Sequence, residues 1–145
     1  RVMSTNKPVN SLADFKGQKI RTMENSYHLA FWKALGANPT PMSFSEVYIG
    51  LQQHTIDAQE NPYEVIVSNN LYEQQAQLAT EYAREQSDAR IADKVAVIED
   101  SGTQIIKLSD ETRKEIREAS QGVYDSIREK INPDIYNSYM EGIEQ

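Results

Sequence analysis

The chain has 145 residues, with 22 Asp and Glu against 15 Lys and Arg and a formal charge of −7. That balance argues against a nucleic-acid-binding protein, whose affinity comes from clustered cations. It contains no cysteine, which removes structural zinc fingers, thiol catalysis and disulfide scaffolds together and leaves the compartment open.

The apolar runs are a few residues long, far short of the ~20 that span a bilayer, so a link to a membrane is expected through a partner and not by direct insertion. Arg1 opens the chain in strand-like sequence, so the sequence reads like the inside of something longer. Hydrophobic residues make up 39% of it, on the polar side for an autonomous α/β domain and consistent with a core completed by residues outside this segment.

In chain order, Val2 to Val9 reads as extended, and Ser11 to Phe15 as a single helical turn closed by Gly17. Lys19 to Thr22 is a predicted strand. Ser26 to Leu35 is a predicted helix with apolar positions Leu29, Ala30, Trp32 and Leu35, ended by Gly36 as a left-handed cap. Ala37 to Met42, interrupted by Pro39 and Pro41, suits an edge or a short extended segment. Ser43 and Glu46 have the spacing of a capping box, opening a helix whose inward face is Val47, Tyr48 and Leu51. Thr55 to Gln59 is extended and leads into Glu60, Asn61 and Pro62, with Pro62 at the first position of the next helix. Alternation of short strands and helices of this kind signals βα units on a sheet, and their strand-to-helix corners are where open α/β sheets hold ligands.

From about Ala76 to Glu99 the composition predicts a long charged helix, with a thin apolar stripe of Leu78, Tyr82, Ala89, Ala92 and Val95, stopped by Ser101 and Gly102. Thr103 to Leu108 reads as a strand. Ser109 then caps a helix with Asp110 and Glu111 in its first turn and Ile116, Ala119, Val123, Ile127 and Ile131 at helical spacing, up to Asn132 and Pro133. A last short helix holds Ile135, Tyr139, Met140 and Ile143.

The expected architecture is α/β: a periplasmic-binding-protein-like lobe in three layers, a mixed sheet with flanking helices, plus long carboxy-terminal helices. Residues 1–75 form the ligand-binding lobe in this reading. Residues 76–145 supply the long helix, a strand and the terminal helices that pack on it as one unit.

Among residues able to carry chemistry, Arg1 and Arg21 offer planar forks of donors matched to a carboxylate. Such an arginine equally serves an internal ion pair with one of the many acids. His28 and His54 have no cysteine, histidine or carboxylate at ligand spacing on a shared face, so no metal site is expected. Asp57 and Glu60 are close in sequence, but paired-carboxylate catalysis needs two groups facing a common gap, which this spacing does not establish. No nucleophile motif and no phosphate-cradling glycine loop is present, and no cofactor is expected.

The run Ala13-Asp14-Phe15-Lys16-Gly17-Gln18-Lys19-Ile20-Arg21-Thr22-Met23-Glu24-Asn25 resembles the "aDlkGlKiR" segment of solute-binding proteins of tripartite ATP-independent periplasmic (TRAP) transporters, the DctP-like family. Leu35-Gly36-Ala37-Asn38-Pro39-Thr40-Pro41-Met42, then Glu46-Val47-Tyr48 and Leu51-Gln52-Gln53, continues the pattern at the family's spacing, and Ile56-Asp57-Ala58-Gln59-Glu60-Asn61-Pro62 is similar to its "vDGqEnP". The resemblance implies that Arg21, in the "KiR" strand, makes the salt bridge to a substrate carboxylate and that Arg1 assists. It implies that Asn61 reaches the same ligand, that Phe44 packs on it, and that Glu24 helps to tune the pocket.

The implied function is capture of a small organic acid, such as a C4-dicarboxylate or a sugar acid. Delivery would be to the membrane subunits of a TRAP transporter, from the periplasm or a membrane-tethered extracytoplasmic position, without enzymatic activity. Two departures stand out: Ala58 replaces the family's usual glycine, and an amino-terminal lobe and an internal segment near Gln75 are expected to be absent. The rival reading is a non-enzymatic interaction module with an acidic helical surface, and an enzyme acting on an organic acid is a third.

Overall fold

A computed structural model describes residues 2–80, 89–130, 133, 136 and 137. Arg1, Tyr82 and the expected last helix from Ile135 to Ile143, apart from Tyr136 and Asn137, lie outside the described residues. Among the described residues the frame is one mixed sheet of six strands: β1 (Val2–Thr5), β2 (Lys19–Thr22), β3 (Asn38–Pro41), β4 (Ala58–Asn61), β5 (Gln77–Thr80) and β6 (Gln104–Lys107), in the order β3-β2-β4-β1-β5-β6. β2 pairs parallel with both β3 and β4, β5 pairs parallel with β6, and β1 runs antiparallel between β4 and β5.

Helices cover both faces. α1 (Ser26–Ala34) and α5 (Asp110–Arg128) lie on one face, where Trp32, Leu35 and Ile116 pack with Met3, Phe15, Ile20 and Ala58. α2 (Val47–Gln52), α3 (Tyr63–Ser68) and α4 (Ala89–Asp100) lie on the other, where Val47, Leu51, Ile66 and Ile98 pack with Val2, Ile56 and Leu71. Two cores separated by one sheet make the three-layer α/β arrangement that the alternation of short strands and helices predicts.

Local chemistry explains most boundaries. The Asn25 side chain accepts from the Tyr27 and His28 backbone N–H groups and so starts α1. Gly36, at φ 83°, ends it in the left-handed region that glycine enters without a Cβ penalty. In β3, Asn38 and Met42 turn their backbone N–H groups toward Gln18 and Thr22 of the β2 segment. Pro39 and Pro41 occupy the alternate positions, whose nitrogens point away from the ladder, so two prolines fit an edge strand and blunt its outer side. Ser109 accepts from the Thr112 N–H at the start of α5, whose first turn carries Asp110 and Glu111 and whose last turn carries Arg128, the charge order favoured by the helix dipole.

Several expectations are corrected. Residues 77–80 form β5 instead of opening a long helix, because pairing with β1 on one side and β6 on the other outweighs their helical composition. The helix that follows is described from Ala89. The strand expected over Thr55 to Gln59 lies instead at Ala58–Asn61, and Pro62 is the N-cap of α3 and not its first residue. The Ser43–Glu46 capping box is present, with the Glu46 carboxylate accepting from the Ser43 N–H, but the turn it caps is not the first turn of α2. A short 3-10 turn, Phe44–Glu46, therefore precedes α2. On α1, Ala30 faces solvent and Phe31 takes part in the packing.

Candidate functional site

The parallel strands β2, β3 and β4 end together at Thr22, Pro41 and Asn61, and each hands the chain to a helical segment. The chain passes from β2 to the edge strand β3 by α1 on one face, and from β3 back across to β4 by α2 on the other. A reversal of this kind opens a crevice at the carboxyl ends of the strands.

Arg21 sits in β2 with 4% of its surface exposed. Its Nε and Nη2 donate to the Met42 carbonyl at 3.0 and 2.9 Å, which fixes one edge of the guanidinium. The Phe44 ring lies 5.7 Å from the guanidinium carbon, within the range of a cation–π contact, and covers the planar cation on one side. Phe44 itself is 40% exposed, an aromatic wall held at the surface beside a buried cation.

Register places Asn61 on the same sheet face as Arg21. Arg21 stands opposite Gln59 in the parallel β2–β4 ladder, and side chains two apart on a strand share a face, so Asn61 lies one step further toward the strand end. Asn61 is 6% exposed, and its Nδ2 donates to Gln59 Oε1 at 2.5 Å. The structure thus brings Arg21, Asn61 and Phe44 to one corner. Glu24 is exposed, in the turn between β2 and α1 at the same edge of the sheet. Arg1, outside the described residues, directly precedes β1, whose Val2 pairs with Asn61.

Glu60 points to the opposite face, where His28 Nδ1 lies 3.1 Å from its Oε1. Asp57 accepts from Lys7 Nζ at 2.8 Å and from the Lys19 backbone N–H at 2.9 Å. Burial opposes its charge, but these hydrogen bonds and the charges of Lys7 and Lys19 outweigh it, so its pKa is held below the usual carboxylate value. Asp57 and Glu60 therefore serve separate partners and do not face a common gap. An apolar groove lined by Leu12, Leu35 and Ala119 lies beyond the amino ends of β2 and β3, away from Arg21.

Sequence reading did not assign Gln59, Ser4 and Gln75, which form a buried polar file behind Asn61. A signal for Gln59 was present in its spacing of two from Asn61, once 58–61 is read as a strand.

Residues 1–80 match the family described as Bacterial extracellular solute-binding protein, family 7. Over 131 residues the chain is 40% identical to the sialic acid-binding periplasmic protein SiaP of Vibrio cholerae serotype O1, a match covering 90% of this chain and 38% of that protein. In fold it is similar to a TRAP periplasmic solute binding protein from Ochrobactrum anthropi, with a TM-score of 0.86 at 24% identity, over 99% of this chain and 57% of that one. A TRAP periplasmic solute binding protein from Haemophilus influenzae RdAW with bound L-gulonate gives a TM-score of 0.78 at 27% identity, over 99% of this chain and 58% of that one. The chain spans less than two thirds of the length of each of these relatives. With more than half of its sequence matched, the chain belongs to bacterial extracellular solute-binding protein family 7.

Proposed function

We propose that this chain is the ligand-gripping part of an extracytoplasmic, periplasmic solute-binding protein that captures a small organic acid and delivers it to the membrane subunits of a TRAP transporter, without chemical conversion of the acid. The observation that supports this best is a buried guanidinium, oriented by a backbone carbonyl and covered by Phe44, at a strand-end corner shared with the Asn61 carboxamide. Arg21 supplies the charge-assisted donors for a carboxylate, Asn61 a second polar contact, and Phe44 a wall that keeps water from the pair. Glu24, exposed in the turn after β2, and Arg1, next to Val2 in sequence, complete the proposed set.

A sugar acid is the ligand class favoured within this reading, since one relative is named for sialic acid and another holds L-gulonate, both hydroxyl-rich carboxylates. Closure on the acid would be driven by contacts that it makes only in the shut form.

The test is calorimetry and thermal shift of the intact protein with L-gulonate, N-acetylneuraminate and succinate. Binding of at least one acid is expected, with a loss of about 30-fold to several thousand-fold in Arg21→Ala, the cost of truncating one partner of a desolvated charge pair. Absence of binding by all three, or binding indifferent to Arg21→Ala, would overturn the proposal.

A further inference from the structure

Behind Asn61 a file of buried side chains crosses from β4 to β1 and ends at Gln75, in the segment that leads into β5. Asn61 Nδ2 donates to Gln59 Oε1 at 2.5 Å, Gln59 Nε2 donates to Ser4 Oγ at 2.6 Å, and Ser4 Oγ donates to Gln75 Oε1 at 2.5 Å. Gln75 Nε2 in turn donates to the Asp57 backbone carbonyl at 3.4 Å. Ser4 and Gln59 are fully buried, and Gln75 and Asn61 nearly so. Gln75 is itself pinned, because its carbonyl accepts from Thr103 Oγ1 at 3.0 Å and its N–H donates to Tyr72 O at 3.1 Å.

The direction of this file is set at its far end. A backbone carbonyl only accepts, so Gln75 must turn its amide nitrogen toward Asp57 and its oxygen toward Ser4. The single hydroxyl proton of Ser4 is then committed to Gln75, and its lone pairs can only accept, which draws the nitrogen of Gln59. Gln59 is left with its oxygen toward Asn61, and Asn61 must answer with nitrogen. Reversing any one amide leaves two acceptors or two donors face to face in a site closed to water, the costly outcome for a buried polar group.

We infer that the Gln59–Ser4–Gln75 relay presets the flip state of the Asn61 carboxamide, which makes these three residues positioning residues of the ligand site although the relay runs behind it. The inference rests on the reading that Arg21 and Asn61 hold an organic acid. Asn61 meets that acid with one N–H already spent and the other groups of its amide already oriented, so the acid does not bear the cost of ordering them.

The experiment reads the relay first without ligand. In the intact, isotope-labelled protein, Ser4→Ala removes the hydroxyl that links the two glutamines. The side-chain NH2 resonances of Asn61 are expected to shift and their hydrogen exchange to quicken. Ile66→Val, a loss of packing on the same side of the sheet, lowers the melting temperature and leaves those resonances in place. Gln75→Met breaks the anchor at the other end and stands in if Ser4→Ala does not fold.

With L-gulonate as the probe, Ser4→Ala should weaken binding about 2- to 12-fold, the equilibrium worth of one hydrogen bond. Ser4→Ala combined with Asn61→Ala should bind no worse than Asn61→Ala alone, because both act through one amide. Unchanged Asn61 resonances in Ser4→Ala, or penalties that simply add, overturn the relay. If neither L-gulonate nor another acid binds the unaltered protein, it is the site reading that fails, and the ligand-free resonances still decide whether the relay holds Asn61.

Discussion

Replacing Arg21 with lysine separates the charge of the guanidinium from its shape. The arginine head has five N–H groups in a rigid fork, and the Met42 carbonyl accepts from two of its nitrogens, Nε at 3.0 Å and Nη2 at 2.9 Å. That clamp orients the plane, and Phe44 at 5.7 Å lies over it. Lysine keeps the positive charge but has one nitrogen with rotatable donors, which cannot hold Met42 and present a fixed pair of donors to a carboxylate at once. The expected loss is one charge-assisted hydrogen bond, about 1.5–3 kcal/mol, or about 10- to 150-fold in the dissociation constant. Arg21→Lys should therefore fall between the unaltered protein and Arg21→Ala. The assay is titration calorimetry with L-gulonate and N-acetylneuraminate, alongside the melting temperature of each ligand-free variant. Lysine binding within about twofold of arginine would show that the fork is not what the acid meets. Lysine as weak as alanine would show that charge contributes nothing without the Met42 clamp, and either result refutes the reasoning.

Asp57 gives a pH-dependent stability of definite sign. Its pKa is lowered in the folded protein, so its contribution is present above the unfolded carboxylate value and is lost as pH falls through the lower folded value. Asp57→Asn should therefore destabilise the protein at neutral pH, with the difference from the unaltered protein shrinking in urea titrations as pH falls below the ordinary carboxylate range; a difference that stays constant as the carboxylate is protonated would contradict this. Leu51→Ala and Phe44→Ala should behave oppositely. Leu51 is fully buried in the core under α2, so its truncation should cost about 2–5 kcal/mol in urea unfolding. Phe44 is exposed and should cost little stability while weakening acid binding about 2- to 30-fold through the lost cation–π contact. Equal stability penalties for the two would contradict the assignment of Phe44 to the site.

The elements whose own residues decide their structure were legible in the sequence. β2 falls at Lys19–Thr22 as read, and α5 begins at its Ser109 cap with the dipole-matched charges in place. Gly17 and Gly36 adopt the positive φ angles, 75° and 83°, that their positions as terminators require. What sequence reading displaced was the strand made by pairing alone. Ala-Gln-Glu-Asn at 58–61 has the composition of a loop, and Gln-Leu-Ala-Thr at 77–80 that of a helix. Both become strands because neighbours supply the ladder on each side.

The same cause hid the file behind Asn61. A buried polar residue is tolerable only with its partner in place, and Ser4 and Gln75 are 71 positions apart. The polarity of β4 looks like a reason to exclude it from the interior, yet each of its polar side chains is matched there: Gln59 to Ser4, Glu60 to His28, Asn61 to Gln59. A polar strand in the centre of a sheet is expensive to build and specifies few arrangements. That cost fits a strand whose end must present one amide in one orientation, and it fits a purely structural strand poorly, since alternating valine and isoleucine would fill the same space at lower cost.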